Sequence, residues 1–252
     1  MTSIDLNADL GEGMGTDEDL LRIVSSASIA CGGHAGDAPT IRHILKACKA
    51  RGVRAGAHPG YADPKRFGRF RVVMPLDQLL GQIRSQLFLV RFIADEVGVP
   101  LAYVKLHGAL ANQTAEELAF AVGIFATIQA MDPQVAALAL DNSQQVRAAK
   151  AVGMPLIREA YADRAYTPQG LLVPRNQPDA VIDDIDAVIE RCVRLAKSGE
   201  IVAIDGSVFK STARSICLHG DTPGAVDLAS ELRDALEGEG IAIAADPPEV
   251  AL

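Results

Sequence analysis

Four of the five histidines in this chain sit where an apolar run gives way to a turn: His34 in "ACGGHAGD", His58 in "GAHPGY", His107 in "KLHGAL" and His219 in "LHGDTPG". Carboxylates and amides accompany them. Asp5, Asn7 and Asp9 alternate in "IDLNADL", so they share one face of an extended strand. "REAYADRAY" adds Glu159, Asp163 and Arg164, Lys105 precedes the third histidine segment, and Asp221 follows His219. Imidazole and carboxylate together suit two uses. They can ligate Zn²⁺, Mn²⁺ or Mg²⁺ to activate water. They can also pass protons as general acid and base without a metal. The glycines of "DLGEGMG" and "CGGHAGD", Gly32 and Gly33 among them, could instead offer backbone N–H groups to an anion, or simply make turns. "FGRFR", centred on Arg69 and preceded by Lys65 and Arg66, is a basic patch suited to a carboxylate or phosphate, or a solvated loop. HExxH, HxxEH and GxxxxGK[ST] do not occur, so neither a zinc-protease helix nor a Walker loop is indicated.

These residues need elements that bring them together. Strand-length apolar runs fall at 4–10, 28–30, 53–57, 102–106, 135–140, 155–160, 201–205, 215–218 and 241–245. Helical patterns separate most of them. "DLLRIVSSA" follows Thr16, a plausible cap. "DAPTIRHILKACKARG" carries Ile41, Ile44, Leu45 and Cys48 at helical spacing and stops at Gly52, and another long run begins with Pro75 and stops at Gly98. "TAEELAFAVGIFATIQAM", "NSQQVRAAKAVG", "DAVIDDIDAVIERCVRLAKSG" and "TPGAVDLASELRDALEGEG" repeat the theme. Alternation of this kind implies an α/β fold with parallel strands and right-handed crossovers. At this length a closed (β/α) barrel is favoured over an open sheet, as a single domain spanning residues 1–252. The exception is "IVAIDGSVFKSTARSICL", whose apolar runs lie too close for a helix between them, so a hairpin is expected. In a barrel the C-terminal strand ends form one rim. Asp5, Asn7, Asp9, His34, His58, Lys105, His107, Glu159, Arg164, His219 and Asp221 are therefore expected to converge there, while His43, in mid-helix, is expected at the surface.

The bulk properties fit a soluble enzyme. Hydrophobic residues make up 49% of the 252 residues, enough for a sizeable core. The net charge of −8 argues against nucleic-acid or anionic-membrane partners, and the lack of Trp leaves few stacking platforms. The N-terminal segment lacks the basic and apolar regions of a signal peptide. Cys31, Cys48, Cys192 and Cys217 are scattered and read as reduced core thiols, so a cytoplasmic location is expected.

The motifs "DLNADLGEG", "ASIACGGHAGD", "AGAHPGY…RFGR", "VKLHGAL", "EAYADRAYTPQGLLVPR" and "SICLHGDTPGAV", in this order over nearly the whole chain, resemble the LamB/YcsF family. That family supplies the A subunit of the bacterial ATP-hydrolysing 5-oxoprolinase. The resemblance implies a seven-stranded TIM-like barrel of the glycoside hydrolase/deacetylase type. It implies ATP as co-substrate, 5-oxoproline as substrate, and a complex with the B and C subunits of 5-oxoprolinase; self-association stays open. Where the family pattern has Phe, Pro and Tyr, this chain has Gly33, Leu106 and Ala111, which changes the lining around His34 and His107 but keeps both imidazoles. For such a reaction His34, His58 and His107 with Asp9 would position water or hold a divalent ion such as Mg²⁺. Lys105 and the amides at Gly32 and Gly33 would stabilise an oxyanion or phosphate, Glu159 or Asp163 would supply a proton, and Arg164 would clamp the substrate carboxylate. Asn7, Arg69, His219 and Asp221 would complete the rim. A metal-dependent amidase or deacetylase acting alone, and a non-catalytic subunit, are the competing readings.

Overall fold

The alternation in the first strand decides what fills the centre of the molecule. In the computed structural model, which describes residues 3–220, 224–245 and 247–249, β1 (Ser3–Leu10) is buried along almost its whole length. Ile4, Leu6, Ala8 and Leu10 join the main hydrophobic core with residues of the surrounding helices. Asp5, Asn7 and Asp9 take the opposite face and meet polar partners inside the barrel.

β1, β2 (Ser26–Ala30), β3 (Arg54–His58), β4 (Leu101–Val104), β5 (Ala136–Leu140) and β6 (Leu156–Tyr161) pair in parallel in that order. β7 (Glu200–Val202) and β8 (Val208–Lys210) form a separate antiparallel hairpin, as the short spacing predicts. β9 (Ser215–Leu218) then pairs with both β6 and β1 and closes a seven-stranded parallel barrel. β10 (Ala242–Ile243) extends the sheet beside the first residues of β1.

The helices are α1 (Asp17–Leu20), α2 (Ala38–Arg51), α3 (Leu76–Val97), α4 (Gly108–Glu116), α5 (Leu118–Met131), α6 (Gln144–Ala151), α7 (Ile185–Ser198) and α8 (Ala225–Gly238). α2 and α3 stop on Gly52 and Gly98, both left-handed, as expected. Three helical runs differ from the pattern, the last of them α7, which begins at Ile185 behind an Asp184 cap because the residues before it turn back to pair Val181 with Arg164. α1 is a single turn, because Ser26 and Ala27 are drawn into β2 between β1 and β3, and pairing overrides local propensity. The run expected as one helix after Thr114 breaks at Glu117, which is extended, and the preceding helix reaches back to begin on His107.

The barrel interior is polar along β1 and β2, with an apolar patch of Tyr103, Ala136, Leu138 and Ile157 from β4, β5 and β6. At its N-terminal end the Asp5 carboxylate accepts from the hydroxyls of Ser25 (2.6 Å), Ser26 (2.7 Å) and Ser215 (2.5 Å) and pairs with Arg54 (2.7 Å). Asp5 therefore closes the floor of the barrel and does not reach the rim. All four cysteines are free and buried, and burial pushes the Cys31, Cys48 and Cys192 thiols up to about 12.

Candidate active site

Above the Asp5 layer, Asn7 donates to Glu159 Oε1 (2.9 Å) and Ser215 Oγ (2.8 Å). Lys105 reaches inward over this layer. Its Nζ lies 2.9 Å from Asp9 Oδ1, 2.9 Å from Glu159 Oε1, 2.9 Å from Cys217 Sγ and 3.1 Å from Asn7 Oδ1. Burial disfavours the ammonium, but Asp9, Cys217 and Glu159 outweigh it and hold its pKa well above the ordinary range. Burial likewise opposes ionisation of Asp9, while His58 and Lys105 hold that carboxyl well below its usual value. Burial dominates at Glu159 and raises its pKa, with Lys105 opposing. Lys105 thus neutralises the acids at the barrel centre.

Three histidines meet one carboxylate at the mouth. His34 Nε2 lies 2.9 Å from Glu12 Oε1, which is also 3.3 Å from His107 Nδ1 and 3.8 Å from His58 Nε2. His58 Nε2 faces His107 Nδ1 at 3.0 Å, and the His34 and His107 rings stack at 3.5 Å. These four side chains are buried, and one ligand atom from each lies within 4.8 Å of the others. Burial lowers the His34 pKa, and burial with its two histidine neighbours holds His107 well below the ordinary range. Among the described residues Asp9, Cys217 and His219 also converge, but the Lys105 ammonium already occupies Asp9 and Cys217.

The "FGRFR" turn wraps this cluster. Phe67 has φ 54°, uncommon for a residue with a side chain, and in that conformation its carbonyl accepts from His107 Nε2 at 2.9 Å. Its ring stands edge-on to both His34 and His107. Gln86 of α3 braces the facing loop, accepting from Gly60 N–H (3.1 Å) and donating to Gly60 O (2.8 Å). Gly33 is bare for this reason: a Cβ there would overlap the Gln86 carboxamide.

A cavity of about 590 Å³ opens above, lined by Glu12, His58 and His107 on one side and by Tyr161, Arg164 and His219 on another, with Arg69 and Arg175 also in its wall. His219 Nδ1 donates to Asp163 Oδ1 at 2.8 Å. Burial opposes ionisation of Asp163, yet His219, Arg175 and Arg164 overcome it and hold the carboxyl at about 2. Asp163 therefore fixes the imidazole with Nε2 free of that bond, the arrangement of an oriented general base or acid. Arg164 donates to the carbonyls of Ala180 (3.1 Å) and Val173 (2.6 Å), which pins its guanidinium in the cavity wall.

Most of the expected rim residues come together, with several changes of place. Lys105, Asn7 and Glu159 lie below the mouth in the barrel interior. The Gly32 N–H is taken by Ala35 O (2.8 Å), so that amide does not face an anion. Asp37 caps α2 by accepting from Thr40 N–H, and His43 is an exposed partner of Glu18. Asp221 lies outside the described residues. Glu12 is the participant that spacing does not reveal; its only signal is an acid inside "DLGEGMG", shortly after Asp9.

A closed parallel barrel with histidines and carboxylates gathered at the C-terminal strand ends is the architecture of a (β/α)-barrel enzyme. The chain belongs to the LamB/YcsF family, whose model matches residues 4–250. It is 44% identical over 247 residues to the 5-oxoprolinase A subunit of Streptomyces avermitilis, covering 96% of this chain and 99% of that one. It is also 44% identical over 248 residues to the 5-oxoprolinase A subunit numbered 1 of Agrobacterium fabrum, covering 96% and 97%. The crystal structure of a lactam utilization protein from Thermus thermophilus superposes with a TM-score of 0.90 at 32% identity, covering 97% of this chain and all of that one.

Proposed function

We propose that this chain is the A subunit of a 5-oxoprolinase that opens the lactam of 5-oxo-L-proline to L-glutamate, together with the B and C subunits and with hydrolysis of ATP to ADP and phosphate. The observation that carries this reading is the end-to-end match to relatives named as 5-oxoprolinase A subunits, which spans every rim residue described above. The mouth supplies groups the reaction needs. A lactam carbonyl is a poor electrophile, so ring opening requires polarisation of its oxygen, a positioned water and a proton for the ring nitrogen when the C–N bond breaks. His219, oriented by Asp163, is placed on the cavity wall to move that proton. This role passes to His219 from Asp163, which is held ionised, and from Glu159, which lies beneath Lys105. Arg69, Arg164 and Arg175 give the wall a positive character suited to the substrate carboxylate and to phosphate. Glu12, His34, His58 and His107 would hold a divalent ion, which when bound polarises a carbonyl and lowers the pKa of water.

The test is glutamate release from 5-oxoproline and ATP. The purified chain alone is expected to release none, and the chain with the B and C subunits is expected to turn over. In that complex His219→Ala should lower turnover by about 10²–10⁴-fold. Full activity of His219→Ala, or of His107→Ala, would remove those residues from the mechanism. Amide cleavage by the chain alone without ATP would instead favour a metal-dependent amidase.

A further inference from the structure

We infer that the Tyr161 hydroxyl is the hydrogen-bond donor to the carbonyl oxygen of the lactam, acting beside His219 on the same wall of the cavity. This role rests on the lactam reading above and assigns the group that meets the substrate oxygen. β6 fixes where the phenol lies. Glu159 and Tyr161 are two residues apart, so both side chains turn into the barrel, while Ala160 between them joins the hydrophobic core. Glu159 is buried against Lys105, and Tyr161, the last residue of the strand, lies further toward the mouth, in the cavity wall. Three contacts hold it there. The Tyr161 N–H donates to the hydroxyl of buried Tyr166 at 2.6 Å. The Lys105 ammonium lies 5.1 Å from the centroid of the Tyr161 ring. The His219 ring stacks on the phenol, with centroids 5.3 Å apart and planes inclined by 28°. His219 is in turn tied to Asp163, so phenol and imidazole form one fixed pair.

The ring is held, but its hydroxyl has no hydrogen-bond partner among the described residues. Burial and Glu159 push the phenol pKa well above its ordinary range against the pull of Lys105, so the hydroxyl keeps its proton and can donate. Neighbouring donors have other tasks. Lys105 Nζ is committed to Asp9 and Asn7, and Arg164 is pinned by two backbone carbonyls and, as a cation, suits the substrate carboxylate. A fixed neutral donor is worth most where charge develops on oxygen, because it needs no reorganisation as the carbonyl carbon becomes tetrahedral. The pairing with His219 fits a lactam in particular. A five-membered ring holds its amide cis, so oxygen and nitrogen lie on the same side, whereas the trans amide of an open chain turns them to opposite sides. A site for the ring therefore needs its oxygen donor and its nitrogen partner as neighbours on one wall, and Tyr161 and His219 are such neighbours. The phenol stays protonated throughout, and the nitrogen takes its proton from His219 as the C–N bond breaks.

The test is the Tyr161→Phe variant, assayed with the B and C subunits on 5-oxoproline and ATP beside the parent. Phe keeps the ring, and with it the contacts to Lys105 and His219, and removes only the hydroxyl. Because the bond is worth most in the transition state, kcat is expected to fall by about 10²–10³-fold while KM stays within about threefold. A thermal melt of the variant, expected to match the parent's, shows that the loss is not one of fold. Tyr161→Leu, which removes the stacked ring as well, should be at least as slow and should also melt lower. Parental kcat in Tyr161→Phe would overturn the role of the phenol and leave the lactam reading standing. So would a raised KM at unchanged kcat, which would make the hydroxyl a contact for ground-state binding alone. A parent complex that releases no glutamate would remove the lactam reading and this role with it.

Discussion

At the scale of single residues, the mouth and the barrel centre treat their charges differently. Lys105 is satisfied by Asp9, Asn7, Glu159 and Cys217, so the buried acids around it need no further cation. Asp163 is bonded by a histidine that also faces the cavity. Its folded-state pKa of about 2 lies below the ordinary 3.8, so it contributes stability that is fully present above the ordinary value and is lost as pH falls toward 2. That contribution is about 2 kcal/mol. Asp163→Asn is therefore expected to be less stable than the parent at pH 7, with the pH-dependent part of the gap closing between pH 4 and pH 2. Urea unfolding of both proteins across that range measures it, and a gap that does not change with pH would show that His219 does not hold the carboxylate ionised.

At the scale of elements, the strand ends that carry His58, His107 and His219 are readable because apolar runs stop abruptly against glycine and proline. The alternate acids of β1 are readable because period two assigns them one face. Two features escape that logic. Glu12 lies in an irregular loop, where no period fixes direction. Phe67 bonds His107 through a left-handed backbone and a carbonyl, and main-chain groups leave no trace in side-chain identity. The depth of each residue is also hidden: Asp5 and Asp9 look equivalent in the strand pattern, yet one lies at the floor and the other near the mouth. β3 shows how tightly the elements are matched. Gly56 is bare because the Tyr103 ring of β4 occupies the space of its missing Cβ, with Tyr103 Oη 3.1 Å from Ser28 Oγ of β2. Gly56→Ala is expected to destabilise by about 1–3 kcal/mol through overpacking. Tyr103→Leu should restore part of that loss in the double variant, giving a favourable coupling in a denaturation cycle. Strictly additive losses would mean that the ring is not what excludes a side chain at position 56.

At the scale of the whole molecule, the barrel has a floor built for stability and a mouth built for chemistry, a division common to parallel barrels. Three strands and the segment before β2 converge on Asp5 at the floor: Ser25, Ser26, Arg54 and Ser215 all bond its carboxylate. Asn7 and Lys105 separate it from Asp9 and the histidines. Asp5→Asn keeps the shape of this group but removes the charge that Arg54 faces, leaving a largely buried cation with a weaker partner. A loss of about 3 kcal/mol follows from breaking such a pair. For a chain of this size that corresponds to a melting temperature lower by roughly 6–12 °C. Well below that transition, the variant should retain turnover in the complex within about threefold, because Asp5 reaches the mouth only through Ser215, Asn7 and Lys105 and contacts neither Asp9 nor the histidines. His219→Ala should instead lose most of its turnover, with a melting temperature lowered by up to roughly 4–8 °C as Asp163 loses its partner. Thermal melts paired with glutamate release for the two variants read both axes together. If Asp5→Asn abolished turnover while the barrel stayed folded, floor and mouth would be one coupled unit, and the polar column through Asn7 and Lys105 would have to transmit the change.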